Sequence, residues 1–291
     1  MLNNQLEWQV GDVTITPFVE IANAGDIIQE ILPEARNDRV QSISWLVPHF
    51  ADEDGTLKAV VQAFVVATPT RRIIIDTCVG DGRVRPDLPA WQNLQTGFLE
   101  KLKTRGVPPE SIDTVLCTHL HFDHVGWNTT YVGGRWVPTF RSARYLFARD
   151  EFHYWKDRPA AEIESDHNGF ADSVLPVFEA GCVELVSTNH QVCPEITLIP
   201  TPGHTPAHVS VLIDSKGHQA LITGDVMHHP CQIANPGWNT LSDTSKEMAK
   251  ATREALLKRV ATGNILLIGS HFASPTAGYV RRAGSDYRLE V

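Results

Sequence analysis

The chain has 291 residues, with 34 acidic and 25 basic side chains and a formal charge of −9 when histidine is neutral. Its apolar content of 42% is enough for a continuous core, which excludes disorder for the bulk of the chain. The negative charge, without a basic run, also excludes a duplex-binding module, because phosphate contacts depend on clustered Lys and Arg. We therefore predict no nucleic-acid partner.

The N-terminal segment has no basic region followed by an apolar stretch, so no secretory leader is predicted. No window approaches the roughly 18 apolar residues of a spanning helix, and we predict no membrane association. The five cysteines are odd in number and form no C-x-x-C pair. Together these features predict a reduced, cytoplasmic protein.

Short apolar runs bounded by turn residues predict strands in both halves of the chain. The predicted strands are 13–19, 42–47, 59–68, 71–76, 111–118, 184–187, 196–199, 209–214, 220–223 and 265–268. Helical spacing predicts one helix over 90–105 and another over 243–261. With no repeat or linker, this order predicts a single α/β (α+β) domain over residues 1–291, with a two-layer sheet core and outer helices.

The segment 118–124 reads Thr-His-Leu-His-Phe-Asp-His. In an extended chain, residues i and i+2 point to the same side, so His119 and His121 can converge on one metal ion. The following turn then brings Asp123 and His124 onto another ion, and imidazole and carboxylate are ligands that zinc accepts. Chance would produce H-x-H-x-D-H roughly 0.002 times in such a chain, so surface histidines at a turn are the weaker interpretation.

Three further candidate ligands each follow a predicted apolar strand. His204 lies in a Pro-Gly-His-Thr-Pro turn, Asp225 ends a Thr-Gly-Asp segment, and His271 ends a Gly-Ser-His segment. Alone, each such residue is more often structural than a ligand. Side chains at the ends of several strands can meet in one site, so we predict all three as ligands beside the H-x-H-x-D-H motif.

These segments together resemble the metallo-β-lactamase superfamily, and the resemblance covers essentially the whole chain. It implies an αββα sandwich that holds two metal ions. The implied ligands are His119, His121 and His204 for the first ion, Asp123, His124 and His271 for the second, and Asp225 as the bridge. The resemblance also implies that Asp76 supports the motif loop, the alternative being a strand-end aspartate that caps a turn.

The implied site predicts a metallo-hydrolase. A water shared by two dications loses a proton near neutral pH, and the resulting bridging hydroxide is a positioned nucleophile. Asp123 is the candidate to collect the proton and return it to the leaving group, and Asp225 is catalytic as the bridge. Zinc is the favoured metal by ligand type, and iron, manganese and cobalt are alternatives.

The segment 271–280 reads His-Phe-x-x-Pro-x-x-Gly-x-Val. This ending is similar to the branch that contains acyl-homoserine lactonases, pyridoxolactonase and the methyl parathion hydrolase-like enzymes. It implies a small-molecule lactone or related carboxylic ester as the substrate. The alternatives are a phosphotriester or aryl-phosphate hydrolase on the same site, and a metal-binding or redox protein without hydrolytic turnover.

One position departs from the best-known homoserine lactonases, which carry a tyrosine three residues after the bridging aspartate. This chain has His228 there. A histidine can donate a hydrogen bond or relay a proton, so His228 is a third catalytic candidate. The alternative is that His228 and His229 are partly exposed loop residues.

Aromatic residues are dense in the segment of about 127–180, and we predict that they line a pocket for an acyl chain or aryl ester. The candidates are Trp127, Tyr131, Trp136, Phe140, Phe152, Tyr154 and Trp155, with Met227 and Trp238 from the loop after Asp225. Two alternatives stay open, because the same residues can fill the core under a loop or form a homodimer interface.

Overall fold

A computed structural model describes residues 6–284 and 286–291, without the side chains of Glu162, Glu164 and Ser165. Residues 1–5, which belong to the segment where no leader is predicted, lie outside the described residues. The chain divides into two compact units, the first formed by residues up to Glu20 and by Val61–Ser187, the second by Ile21–Val60 and Thr188–Val291. The single domain over 1–291 stays a prediction.

Helices occur in both units. In chain order they are α1 (Gly25–Ile31), α2 (Asn37–Gln41), α3 (Phe98–Thr104), α4 (Phe122–Val125), α5 (Arg149–Lys156), α6 (Ala160–Ser165), α7 (Leu175–Glu179), α8 (Cys231–Ala234) and α9 (Lys246–Gly263). None of the helices in the described part of the chain is long and apolar enough to cross a membrane.

The first unit is built on a seven-stranded sheet. Its strands and those of a separate hairpin are β1 (Trp8–Val10), β2 (Val13–Ile21), β3 (Val61–Ala67), β4 (Arg72–Ile75), β5 (Thr114–Leu116), β6 (Thr129–Val132), β7 (Arg135–Pro138), β8 (Arg144–Ala148) and β9 (Val183–Val186). The sheet order is β1-β2-β3-β4-β5-β8-β9, and β6 pairs with β7 alone. Parallel pairing of β4 with β5 places Ile75 opposite Leu116, so Asp76 and the motif loop leave the sheet side by side.

The second unit holds another seven-stranded sheet. Its strands are β10 (Gln191–Cys193), β11 (Ile196–Pro200), β12 (Val209–Ser215), β13 (His218–Ile222), β14 (Leu266–Ile268), β15 (Ala277–Ala283) and β16 (Asp286–Glu290), in spatial order β10 to β16. Parallel pairing of β13 with β14 sets Ile222 opposite Ile268. The segments that carry Asp225 and His271 therefore follow neighbouring strands.

Two predicted elements are wrong. The strand predicted over 42–47 is a 3-10 turn at Ser44–Leu46, because Ile43 and Leu46 are the buried apolar residues and their spacing of three fits one side of such a turn. The helix predicted over 90–105 is reduced to α3. Its first half is broken where Asn93 and Gly97 take positive φ values of 52° and 66°.

Candidate active site

The structure brings predicted ligands together within each unit. In the first unit, the motif loop runs from β5 into α4. The Nε2 atom of His119 lies 3.0 Å from the Nδ1 atom of His121. Two ligands of one tetrahedral zinc ion lie about 3.3 Å apart when the metal–nitrogen distance is about 2.05 Å. The pair therefore has the spacing of two ligands that share one ion.

Asp76 holds this loop from the end of β4. Its carboxylate is buried and accepts hydrogen bonds from the backbone N of Thr118 at 2.8 Å and from the Thr118 hydroxyl at 3.0 Å. It also accepts a bond from the Nδ1 atom of His124 at 2.9 Å. Because that bond places the ring proton on Nδ1, it leaves the lone pair of His124 on Nε2, the nitrogen that a metal would need.

In the second unit, three imidazoles surround the carboxylate of Asp225. The Nε2 atoms of His204, His228 and His271 lie 3.6, 3.1 and 3.2 Å from its oxygens. All four side chains are buried. Ligand atoms of His204, Asp225 and His228 lie within 4.8 Å of one another, which is close enough for a shared cation.

The three histidines differ in the hydrogen bonding of their Nδ1 atoms, which among the described residues is present in His204 and His271 but not in His228. The Nδ1 atom of His204 donates to Asp243 at 3.0 Å, and that of His271 donates to the Val60 carbonyl at 2.9 Å. Metal-binding histidines commonly donate their second N–H in this way. Within residues 6–284 and 286–291, the Nδ1 atom of His228 has no partner. His228 therefore fits a hydrogen-bond donor to Asp225 better than a ligand.

Asp243 is ionised beneath His204. Burial opposes its ionisation, but the hydrogen bond from the Nδ1 atom of His204 and the nearby guanidinium of Arg253 help to outweigh burial and hold the pKa of Asp243 below its usual range. The backbone N of Thr240 donates to the same carboxylate at 3.0 Å. An ionised, anchored carboxylate keeps the His204 ring in one orientation and tautomer.

The turn that carries His204 requires its glycine. Gly203 has a φ of 137°, and a Cβ atom there would lie 2.3 Å from the backbone N of Ala249 in α9. The carbonyls of Gly203 and His204 accept bonds from Ser245 and Thr244, each at 2.9 Å. The start of α9 therefore packs directly on this turn and fixes where His204 emerges.

The structure corrects the alternative that His228 and His229 are partly exposed, since both are buried. His229 donates from Nε2 to the Phe50 carbonyl at 2.8 Å and accepts at Nδ1 from the backbone N of Cys231 at 3.1 Å. Burial lowers the pKa of His229 from 6.5 to about 4. His229 is therefore a neutral, structural residue, and burial also lowers the pKa of its neighbour His228.

This depressed pKa predicts that the protein loses stability in mild acid. The unfolded chain binds a proton at His229 below pH 6.5, whereas the folded chain resists it until about pH 4. The contribution of neutral His229 is therefore complete above pH 6.5 and is lost as the pH falls toward 4, by up to about 3 kcal/mol. Urea unfolding between pH 7 and 4.5 should show a steeper loss for the wild type than for His229→Gln. Parallel profiles would contradict the prediction.

Besides Asp243, sequence reasoning missed His208 and Glu151, which also hold candidate ligands. His208 accepts at Nε2 from the backbone N of Asp225 at 2.8 Å and donates from Nδ1 to Thr201. The sequence feature that could have identified His208 is its position directly before β12 and four residues after His204. Glu151 of α5 accepts from the backbone N of Leu120 at 3.3 Å, and nothing in its local sequence marked it.

The aromatic residues predicted to line a pocket differ in their burial and in their contact with the metal-ligand motif. Trp155 contacts the motif, with its ring 5.4 Å from that of His121. Trp127 and Phe140 are buried, and Trp127 stacks on Phe98, so both belong to the core. Tyr131 is 58% exposed in the β6–β7 hairpin. A pocket wall at Trp155 and a homodimer interface at the hairpin stay predictions.

Comparison with known proteins identifies the protein family. Residues 58–262 match the model of the metallo-beta-lactamase superfamily. An N-acyl homoserine lactonase from Bacillus sp is 29% identical over 160 residues, which are 54% of this chain and 56% of that protein. A probable metallo-hydrolase, YflN of Bacillus subtilis (strain 168), is 25% identical over 205 residues, 60% of this chain and 72% of that protein. The chain spans about half the length of the first of these relatives.

Two solved structures have the same fold. AidC, a dizinc quorum-quenching lactonase in complex with a product, superposes with a TM-score of 0.78 at 17% identity, covering 98% of this chain and 96% of that chain. The hydrolase AbOPH gives a TM-score of 0.75 at 23% identity, covering 99% and 97%. The chain belongs to the metallo-beta-lactamase superfamily. The predictions of this superfamily and of its α/β fold are confirmed.

The fold implies divalent metal ions, and the side chains present fit them. Imidazole and carboxylate oxygens are donors that borderline dications accept. Three of the predicted histidines, His124, His204 and His271, have one ring N–H bonded to an oxygen acceptor, so each can offer Nε2 as a ligand. All five cysteines are free thiols, and thiolate takes no part in either group.

Proposed function

We propose that this protein is a metal-dependent hydrolase that opens a lactone or cleaves a related carboxylic ester. The observation that carries the proposal is the orientation of the site histidines. Asp76, Asp243 and the Val60 carbonyl each accept the Nδ1 proton of one histidine, which prepares Nε2 for a cation. The N-acyl homoserine lactonases among the relatives support the lactone over other substrates.

The proposed centre holds two metal ions. His119, His121 and His204 would hold one ion, Asp123, His124 and His271 would hold the other, and Asp225 would be the shared ligand. Zinc is the favoured ion, and iron, manganese and cobalt are alternatives. When bound, the ions supply Lewis-acid activation of the substrate carbonyl and of the attacking water.

The protein's own side chains move protons and orient the centre. Asp123, whose side chain is 14% exposed, takes the proton from the attacking water and returns it to the oxygen of the leaving alkoxide. His228 donates from Nε2 to Asp225 at 3.1 Å and so fixes the rotation of that carboxylate. The ring of Trp155 packs beside His121 and excludes water there.

The second candidate is a phosphotriester or aryl-phosphate hydrolase that uses the same centre. The observation that favours it is His228, which stands where the best-known homoserine lactonases carry a tyrosine. A substrate panel separates the two candidates. Homoserine lactones, δ-lactones, aryl acetates and a phosphotriester are compared by kcat/KM, and we expect a lactone to give the highest value. Turnover of the phosphotriester alone would overturn the lactonase proposal in favour of the second candidate.

The same substrate panel tests the role of His228. We expect His228→Phe to change the ranking of substrates, with kcat/KM altered by roughly tenfold for some of them, because the ring stays in place while the donor to Asp225 is lost. The folded state is checked by circular dichroism. A uniform loss on all substrates as large as that of Asp225→Ala would place His228 in the core chemistry instead.

The metal content tests the centre itself. We expect more than one metal ion per purified chain, and a lower content for His121→Ala. Fewer than about one ion per chain, together with unchanged content in His121→Ala, would contradict the centre, and metal without turnover would favour a binding or redox protein. Cytoplasmic location, a small-molecule partner and the absence of nucleic-acid and membrane partners complete the proposal.

A further inference from the structure

The backbone of the motif loop is held at every second residue by a carboxylate of the first unit. The N–H of Thr118 donates to Asp76 at 2.8 Å, and the N–H of Leu120 donates to Glu151 at 3.3 Å. The N–H of Phe122 donates to the carboxylate of Asp166. In the sequence, His119 and His121 lie between these three anchored residues.

Glu151 is connected to both histidines through their neighbours. It lies on α5 and is 1% exposed. Its Oε1 atom accepts from Leu120 and also from the indole Nε1 of Trp155 at 2.9 Å. The Trp155 ring meets the His121 ring edge-on, with centroids 5.4 Å apart. One oxygen atom therefore fixes both the peptide between the histidines and the ring that packs against one of them.

We propose that Glu151 is a positioning residue that sets the separation of His119 and His121, and thereby the affinity of this pair for a metal ion. The two hydrogen bonds that Oε1 accepts carry this role. The inference rests on the proposed metal binding of the motif. Residues that orient metal ligands typically change metal affinity by about 10–100-fold when they are replaced.

Zinc affinity of three variants, measured by competition with a chromophoric chelator, tests the proposal. Glu151→Gln keeps an oxygen at the same place and removes the charge, so its zinc dissociation constant should stay close to that of the wild type. Glu151→Asp keeps the charge but withdraws the oxygen by one methylene, and Glu151→Ala removes it. Both should raise the dissociation constant by about 10–100-fold. Asp150→Ala, an exposed acidic residue of the same helix, is the matched control.

The visible spectrum of the cobalt-substituted protein distinguishes positioning from a general loss of stability. Glu151→Asp should alter the d–d bands, whereas a purely structural role would lower the unfolding midpoint of the metal-free protein and leave the bands unchanged. The proposal is overturned if Glu151→Gln weakens zinc as much as Glu151→Asp, or if the folded Asp variant binds like the wild type. If the wild type itself binds no zinc, the proposed function fails instead. Should Glu151→Ala not fold, the Asp and Gln variants decide.

Discussion

Replacing Asp225 by alanine is expected to lower kcat/KM for the proposed lactone opening at least about a thousandfold, which corresponds to roughly 4 kcal/mol of transition-state stabilisation. The carboxylate is the group that His204, His228 and His271 approach within 3.1 to 3.6 Å. Its removal takes one negative charge from a buried group of imidazoles and leaves the proposed bridge without an oxygen ligand. Metal content should therefore fall together with activity.

Two measurements make this result specific. Activity is assayed with the best substrate of the panel, and metal is quantified in the same preparation. Asp214→Ala, an exposed aspartate at the end of β12 in the same sheet, is the control and should retain activity. Full activity of a folded Asp225→Ala variant would contradict the proposed centre. Loss of activity with metal content unchanged would limit Asp225 to the chemical step.

Arg253→Met is expected to reduce the free energy of unfolding by about 3–5 kcal/mol, which is typical of breaking a buried ion pair. The guanidinium is fully buried on α9 and donates to the Val226 carbonyl at 2.8 Å and to the Trp238 carbonyl at 3.0 Å. One of its nitrogens also lies 3.5 Å from Asp243. The substitution removes the donor from the Val226 carbonyl and leaves a buried carboxylate with less compensation, while the Trp238 carbonyl keeps a hydrogen bond from Gln232 at 2.9 Å.

This effect is measured by urea unfolding of the metal-free protein, because bound ligand would add its own stabilisation. Arg259→Met is the matched control, since Arg259 is exposed on the same helix and should change stability by less than about 0.5 kcal/mol. Arg253→Lys should recover little, because one ammonium group cannot reach the separate acceptors that the guanidinium bonds. Equal free energies of unfolding for Arg253→Met and Arg259→Met would show that the buried contacts of Arg253 do not stabilise the fold.

Local pattern predicted part of the geometry of the candidate site. The H-x-H-x-D-H spacing placed His119 and His121 within ligand distance of each other, and the strand-end positions of Asp225 and His271 follow from the parallel pairing of β13 with β14. The positions just after β5 and after the neighbouring parallel strands β13 and β14 could be predicted because apolar runs show where strands end.

Local sequence pattern could not predict the different roles of two adjacent histidines. His228 and His229 are equivalent in the sequence, yet His228 contacts Asp225 and His229 bonds to Phe50. Their roles depend on partners 3 and 179 residues away in the chain. The failed helix over 90–105 has a similar origin, since Thr96 donates its hydroxyl to Asp81 and to Glu20. Such contacts outweigh the apolar periodicity that predicted a continuous helix.

Charge and composition predicted no nucleic-acid partner and no membrane association, which stay predictions, and the site motifs predicted the superfamily and the donor types. The tertiary structure decided which ring nitrogen each histidine keeps for a ligand, because Asp76, Asp243 and the Val60 carbonyl reach those rings from distant parts of the chain. It also decided that Glu151 and Arg253 are buried beneath the candidate ligands. A sequence records which side chains are present, whereas hydrogen-bond partners and burial arise only when the folded backbone brings remote segments into contact.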